Sequence, residues 1–499
     1  MFSILWSKRL PVFLFALFII GAFLRLYRIR PTMQFFGDQG RDALIARRIL
    51  IEHHPALIGP QTSVGNMYLG PLYYYFMVIP LMMTYPDPVG PAIAVALIGI
   101  ITNILLYVLG KEMVGKQAAL IATILYTFSP IIITYTRFSW NPNIVPLFSL
   151  LTLWLLYKTW KGKRWYWAWI GVCVSILLQL HYITLVIAAF AGVVWLLEVA
   201  KMIRIKKVHV DFFIATAIAV VVFILSLIPL AAFDLRHNFL NLHAFENFFH
   251  GNESHFRSFS QISATFYAGI GLLIRTNFEL FGVKLPNYTM VLVATIIVVL
   301  GGFSLLQKRK RQEKVGVMFV LSLFIFSLCI LSFYTESIFD HYLAFLFPVA
   351  SLSAGILLSY LWGKAIMKPF VIALLIVFVG FSLEKYPGTA NLGLNVDYFK
   401  RSAQVISTHV NPGEAYDILV FSGTKDFDGM AYRYFLTIDH RPPVDVGYVQ
   451  TADKLFLIDE QRQENVLASP QYDLAVWPNR IPTASFDIPN GPHVIELAR

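Results

Sequence analysis

Charge is scarce in this chain. Of its 499 residues, 14% are Asp, Glu, Lys or Arg, against roughly 25% in soluble domains. Such a composition excludes an ordinary soluble enzyme. Cysteine is scarcer still. Cys173 and Cys329 each lie inside an apolar run, so no disulfide framework is indicated and no Cys/His spacing of a metal site is present. A P-loop and a glycine-rich dinucleotide fingerprint are both missing, which argues against an NTPase or a nicotinamide enzyme. There is no internal repeat and no low-complexity segment. No small-residue cleavage site follows the first apolar run, so that run is expected to be a retained span. The net charge of +11 does not point to nucleic acid, because the basic residues cluster at the ends of apolar runs, where they set topology.

What the chain has is hydrophobicity: 57% of its residues, in runs near the about 20 residues a helix needs to cross a bilayer. Spans are expected at 10–27, 89–109, 117–135, 142–160, 166–180, 182–199, 211–232, 287–306, 315–333, 342–362 and 369–384. Basic clusters punctuate alternate loops: Lys111 and Lys116; Lys158, Lys161, Lys163 and Arg164; Lys201, Arg204, Lys206 and Lys207; Lys308 to Arg311; Lys364 and Lys368. The positive-inside rule places these loops, and the N-terminus with Lys8 and Arg9, on the cytoplasmic side. Counting Leu69 to Tyr85 as a span would invert that pattern. It is therefore expected to be a re-entrant or interfacial helix within a long outer loop, 28–88. Arg25, Arg28 and Arg30 oppose the rule locally, but the later loops outvote them.

Beyond Glu384 the polarity becomes ordinary. Asp417 to Phe421, Lys454 to Ile458 and Tyr472 to Trp477 read as strands, and Phe399 to Val410 as a helix closed by Asn411-Pro412-Gly413. The fold class expected is an all-α polytopic membrane protein of about 11 transmembrane helices over residues 1–384, followed by a small α/β domain, 385–499, on the extracytoplasmic side.

The outer loops collect the polar residues. Asp38, Arg41 and Asp42 open an amphipathic segment running to His53. Arg137, Trp140, Asn141 and Asn143 follow the third span, and His181-Tyr182 forms a tight turn. Asp234, Arg236, His237 and Asn238 follow the seventh span, and Asp340, His341 and Tyr342 precede the tenth. Each has a bland alternative. Asp38 and Asp42 suit a helix N-terminus. Arg137 and Arg236 suit interfacial anchors that snorkel to headgroups. His181 and Tyr182 could satisfy turn backbone, Tyr73 to Tyr75 could be interfacial packing, and Asp42 could order the loop by pairing with an arginine.

The ordered set resembles the GT-C glycosyltransferases of the dolichyl-phosphate-mannose protein mannosyltransferase and aminoarabinose transferase superfamily, family 39-like. The residues that carry the likeness run from roughly 10 to 360. Asp38 and Arg41 match the family's Asp-Glu-x-Arg-Tyr, with Gln39 for its Glu and Asp42 for its Tyr. Pro71-Leu72-Tyr73-Tyr74 matches a peripheral Pro-Leu-Tyr-Tyr helix. Arg137 matches an Arg after the third span, but Asn141-Pro142-Asn143 stands where the family has Asp. Pro229 through His237 resembles a recurring segment at the end of a later span. His341-Tyr342 with Phe347-Pro348 resembles Arg-Tyr followed by Pro, with His for Arg.

The resemblance implies an inverting transfer of a hexosyl or pentosyl group from a polyprenyl-phosphate sugar to an acceptor on the extracytoplasmic face of a prokaryotic plasma membrane. Asp38 is then the general base. Arg41, Asp42, Tyr73, Arg137, Asn141, His181, Tyr182, Arg236, His237 and His341 are the candidate substrate-binding residues. A single leaving phosphate does not demand a divalent cation, and does not exclude one. The expected partners are the lipid-linked sugar, membrane lipids, and an acceptor protein, lipid or glycan; nucleic acid is not among them. The rivals are a transporter or flippase of lipid-linked glycans and a non-catalytic membrane scaffold. A transporter is disfavoured by the near absence of ionisable residues at mid-span and of any repeat.

Overall fold

The structure, a computed structural model, describes residues 2–250, 255–286, 289–306, 310–390, 392–424, 426–463 and 465–499. Among the described residues each of the expected spans is helical over most of its length, 287 and 288 of the eighth lying outside them. Among the described residues, six helices are long and apolar enough to cross a membrane, or seven if the pair Val210–Ser226 and Ile228–Arg236, bent by 42°, is one span. The shortfall from the expected number has local causes. Pro130 divides the third span into Lys116–Phe128 and Pro130–Tyr135, with the Ser129 side chain capping the second piece. The fourth begins as a 3-10 turn, Asn141–Ile144, before Val145–Trp160. Tyr166–Leu180 and Met290–Ser304 are apolar but short. Lys111 lies inside the helix Val89–Val114 and not in a loop. Only Gly115 separates that helix from the next, at a φ of 91° open to glycine. Lys308 and Arg309 lie outside the described residues.

Residues 69–85 contain the helix Leu72–Thr84, 13 residues long. At about 1.5 Å per residue it is too short to span. Tyr73, Tyr74, Met77 and Leu81 are buried in the bundle and Tyr75 faces out, so the aromatic run is mostly core and only partly surface.

The C-terminal segment holds a four-stranded sheet in the order β1-β2-β4-β3. β1 (Tyr416–Phe421) and β2 (Lys454–Asp459) are parallel and buried on both faces, as a continuous apolar strand requires. β3 (Pro482–Asp487) and β4 (His493–Ala498) form an antiparallel hairpin on that edge. The strand expected at Tyr472 to Trp477 is instead a short helix, Tyr472–Ala475. Its buried residues, Leu474 and Trp477, are spaced by a helical turn and not by the period of two a strand needs. The helix expected near 399 spans Val396–Ser407, capped by the Asn395 side chain accepting from the Tyr398 N–H.

The sheet domain does not stand apart. Its core continues through Val396, Phe399, Ile418 and Phe456 into Ile29, Met33, Phe35, Ala43 and Ala92 of the membrane part. Arg30 clamps the junction, with Asp87 at 2.5 Å and Asp397 at 2.8 Å.

Candidate functional site

The helix Gly37–Glu52 brings the first charges together. Its start is fixed by the Gln39 side chain, which accepts from the Phe36 N–H at 3.0 Å. Asp38, in the first turn, makes no cap bond but meets Arg41 at 2.8 Å with its carboxylate partly exposed. Asp42 is fully buried, and its Oδ1 accepts from Arg41 Nη2 at 2.8 Å and Nε at 3.0 Å. Burial pushes the Asp42 carboxyl up to about 6 against the pull of Arg41, with Asp38 adding to the rise. Burial also works against the Arg41 charge, but Asp42, Tyr74 and Asp38 outweigh it and hold the guanidinium above its ordinary value. Arg41 is thus a fixed cation, anchored from behind by Asp42 and presented beside Asp38.

Asp38 and Arg41 open onto a cavity of about 360 Å³, whereas Asp42, expected among the substrate-binding residues, is buried behind Arg41 and does not line it. Asp38, Arg41, Asn141, His181, Tyr182 and His341 all line it, although they come from loops far apart in sequence. Asn141 donates to the Leu180 carbonyl at 2.6 Å, which ties the 3-10 turn to the helix end before His181. His181 sits between two helix ends, where burial lowers its basicity to about 4. Its Nδ1 accepts from the Ile183 N–H at 3.3 Å, which leaves Nε2 as the protonated, donating nitrogen. The ring of His181 lies edge-on to Tyr342, 4.9 Å between centroids, and His341 packs against Trp140 at 4.4 Å. The Tyr182 hydroxyl donates to the Tyr68 carbonyl at 2.6 Å and so holds the 61–68 hairpin over the cavity.

Much of the remaining lining is apolar. Phe245, Phe248 and Phe249 come from the helix Leu240–His250, Phe256 from the segment beyond it, and Leu185, Val186 and Ala189 from the helix Leu185–Arg204. Sequence reasoning passed over these phenylalanines. Their spacing, i, i+3 and i+4 on a helix, is the signal that could have found them.

Other candidates lie elsewhere. Tyr73 is buried, its hydroxyl 2.8 Å from Ser139 Oγ. Arg137 is 2% exposed and caps the first spanning helix, donating to the carbonyls of Leu24, Arg25 and Tyr27 and to Thr32 Oγ1. Arg236 and His237 are exposed, and the His237 ring stacks on Phe233. None of these lines the cavity. Among the described residues, no three His, Cys, Asp or Glu side chains gather as a metal-ligand set.

Gly37 and Gly40 have a role the sequence did not reveal. A Cβ on Gly40 would lie 2.5 Å from the Met430 carbonyl carbon and 2.6 Å from the Ala431 nitrogen. The helix Met430–Ile438 of the sheet domain therefore sits directly on the helix that carries Asp38. Backbone atoms cannot move aside cheaply, so Gly40→Ala is expected to cost about 1–3 kcal/mol, as overpacking does. The effect would be read as a lower unfolding temperature of the purified protein.

The family model described as dolichyl-phosphate-mannose-protein mannosyltransferase matches residues 69–227. No curated protein matches the sequence. The chain is similar to two crystal structures of ArnT from Cupriavidus metallidurans. With the one bound to undecaprenyl phosphate it shares 14% identity over 98% of each chain, with a TM-score of 0.55. With the apo form it shares 13% identity over 97% of this chain and 98% of that one, with a TM-score of 0.58. It is also similar to the Archaeoglobus fulgidus oligosaccharyltransferase in complex with Zn and sulfate, at 12% identity over 89% of this chain and 67% of that one, with a TM-score of 0.51. Helical bundle, the short helix Leu72–Thr84 and C-terminal sheet together give this multi-pass membrane protein the GT-C fold.

Proposed function

We propose that the chain is an inverting glycosyltransferase that takes a sugar from a polyprenyl-phosphate donor at this cavity. The observation that carries the reading is the cavity's mixed lining. A carboxylate, a guanidinium and two imidazoles share the cavity with phenylalanine and aliphatic walls. A prenyl phosphate has that same mixed character. The ArnT structure bound to undecaprenyl phosphate supports the same donor class.

In the reaction, Asp38 takes the proton of an acceptor hydroxyl. The hydroxyl oxygen bonds to the anomeric carbon as the bond from that carbon to the phosphate oxygen breaks. The electron pair leaves on the phosphate, and the anomeric centre inverts. Arg41 and the Nε2–H of His181, whose residues line the cavity, are the donors to receive the leaving phosphate, and preorganised donors of this kind supply much of a transition state's stabilisation. Asp42 holds Arg41 from behind, so the cation need not reorganise.

The test is transfer by membranes containing the full-length protein, with a panel of radiolabelled polyprenyl-phosphate sugars. One donor is expected to be used, with inversion at the anomeric carbon. Phe248→Asp, which sets a charge in the apolar wall, should raise the KM for the lipid donor by tenfold or more with a smaller change in kcat. Transfer with retained configuration, or use of a nucleotide sugar in place of every lipid donor, would overturn the proposal.

A further inference from the structure

We infer that the bundle carries a second site, for a phosphate-bearing lipid headgroup, at the end opposite the Asp38 cavity. The site is a concave pocket of about 400 Å³ lined by Lys161, Arg164, Lys201 and Arg311, with Glu198 as its one carboxylate. The same helices frame both sites. Val145–Trp160 begins beside Asn141 and ends at this pocket. Leu185–Arg204 leaves the cavity at Leu185 and reaches the pocket at Lys201. Arg311–Ser332 runs the other way, from Arg311 here to Ile330 and Leu331 at the cavity. A 20-residue helix rises about 30 Å, the thickness of the hydrocarbon core. The pocket therefore lies at the headgroup level of the other leaflet.

Basic residues at span ends commonly do no more than fix topology. These differ in converging on a cavity and in their unequal pairing. Lys161 and Arg164 each have a distant carboxylate partner, Glu112 and Asp211, both at 3.7 Å. Among the described residues, Lys201 and Arg311 have no carboxylate within salt-bridge distance, and Lys201 lies 5.5 Å from the centre of the Trp160 ring. Glu198 is 8% exposed and accepts from Trp167 Nε1 at 3.4 Å. It is thus held in the wall and does not cross the pocket to neutralise Arg311.

The remaining lining favours an amphiphile over a free ion. Trp160, Met202, Ile205 and Val315 give the pocket apolar sides. Trp165 and Trp169, just beyond, are exposed, as aromatics at the lipid–water boundary are. Cations in excess together with apolar sides fit a phosphodiester headgroup with its acyl chains running along the bundle, as basic pockets between spanning helices do.

The test uses the full-length protein purified in detergent, with binding read by native mass spectrometry and stability by thermal unfolding followed through tryptophan fluorescence. The probes are phosphatidylglycerol, phosphatidylcholine and inorganic phosphate. Phosphatidylglycerol is expected to bind at least fivefold tighter than phosphatidylcholine and to raise the unfolding temperature. The double variant Lys201→Gln with Arg311→Gln should lose tenfold or more of that affinity, since each cation near a membrane surface is worth about 1 kcal/mol. Lys201→Arg with Arg311→Lys should retain it, which separates lost charge from lost folding. Equal protection by inorganic phosphate alone would keep the phosphate site but assign it to the free ion. Equal phosphatidylglycerol binding by wild type and the Gln double variant, or no preference over phosphatidylcholine, would overturn the site.

Discussion

Asp38→Asn is expected to lower glycosyl transfer by roughly 10²- to 10⁴-fold, the contribution typical of a general base, while leaving the fold intact. Both halves of that expectation come from the geometry. Asn keeps the shape of the side chain and removes its ability to take a proton. Asp38 is partly exposed and pairs with Arg41 at 2.8 Å, and a pair in that setting contributes no more than about 1 kcal/mol to stability. Its loss should move the unfolding temperature by only a few degrees. Arg41 would remain fixed by Asp42, so donor binding should persist. Transfer and stability thus separate in this variant. Equal transfer by wild type and variant would remove Asp38 from the chemistry and leave the membrane-scaffold reading in contention. Asp42 could not simply replace it, because that carboxylate is buried and committed to Arg41.

What the sequence made readable, and what it hid, divides along physical lines. Apolar runs are a composition signal, and among the described residues every expected span is mainly helical. Where those helices break depends on single residues such as Pro130 and Pro142, whose effect a hydropathy average smooths over. β1 and β2 were readable because a strand buried on both faces is continuously apolar. β3 and β4 were not, since β3 is largely exposed. Yet Asn490-Gly491 between them is a common hairpin signal, and Asn490 has a φ of 53°. Within the candidate site, polar residues in the loops expected on one side could be gathered by topology alone, and Asp38, Arg41, Asn141, His181, Tyr182 and His341 do share one cavity. Tyr73, Arg137, Arg236 and His237 could not be sorted from them in that way, because polarity at a span end does not say which way a side chain turns.

Arg137 gives the second large expected effect, and it falls on stability. The first spanning helix ends at Leu26, and its last carbonyls have no partners further along the helix. Arg137 supplies them: Nη1 donates to the Leu24 carbonyl at 2.8 Å and the Arg25 carbonyl at 3.0 Å, and Nη2 to the Tyr27 carbonyl at 2.8 Å and Thr32 Oγ1 at 2.6 Å. A cation at a helix C-terminus also meets the negative end of the helix dipole. Tyr386 joins the same knot, its hydroxyl donating to the Leu24 carbonyl at 2.9 Å and its ring facing the guanidinium. One side chain thus ties the first helix, the end of the third span and the chain entering the sheet domain. Charge-assisted hydrogen bonds contribute about 1.5–3 kcal/mol each, and an orphaned buried acceptor costs a further 1–3 kcal/mol. Arg137→Met fills much of the volume but satisfies none of the carbonyls, so a loss of roughly 3–5 kcal/mol is expected even if water reaches some of them. Arg137→Lys, with one ammonium for several acceptors, should recover only part. Arg236→Ala, at an exposed position, should change stability by less than about 0.5 kcal/mol. Thermal unfolding of the four proteins in one detergent checks the series. A stable Arg137→Met protein that had lost only transfer would show that Arg137 acts on substrate and not on the helix end.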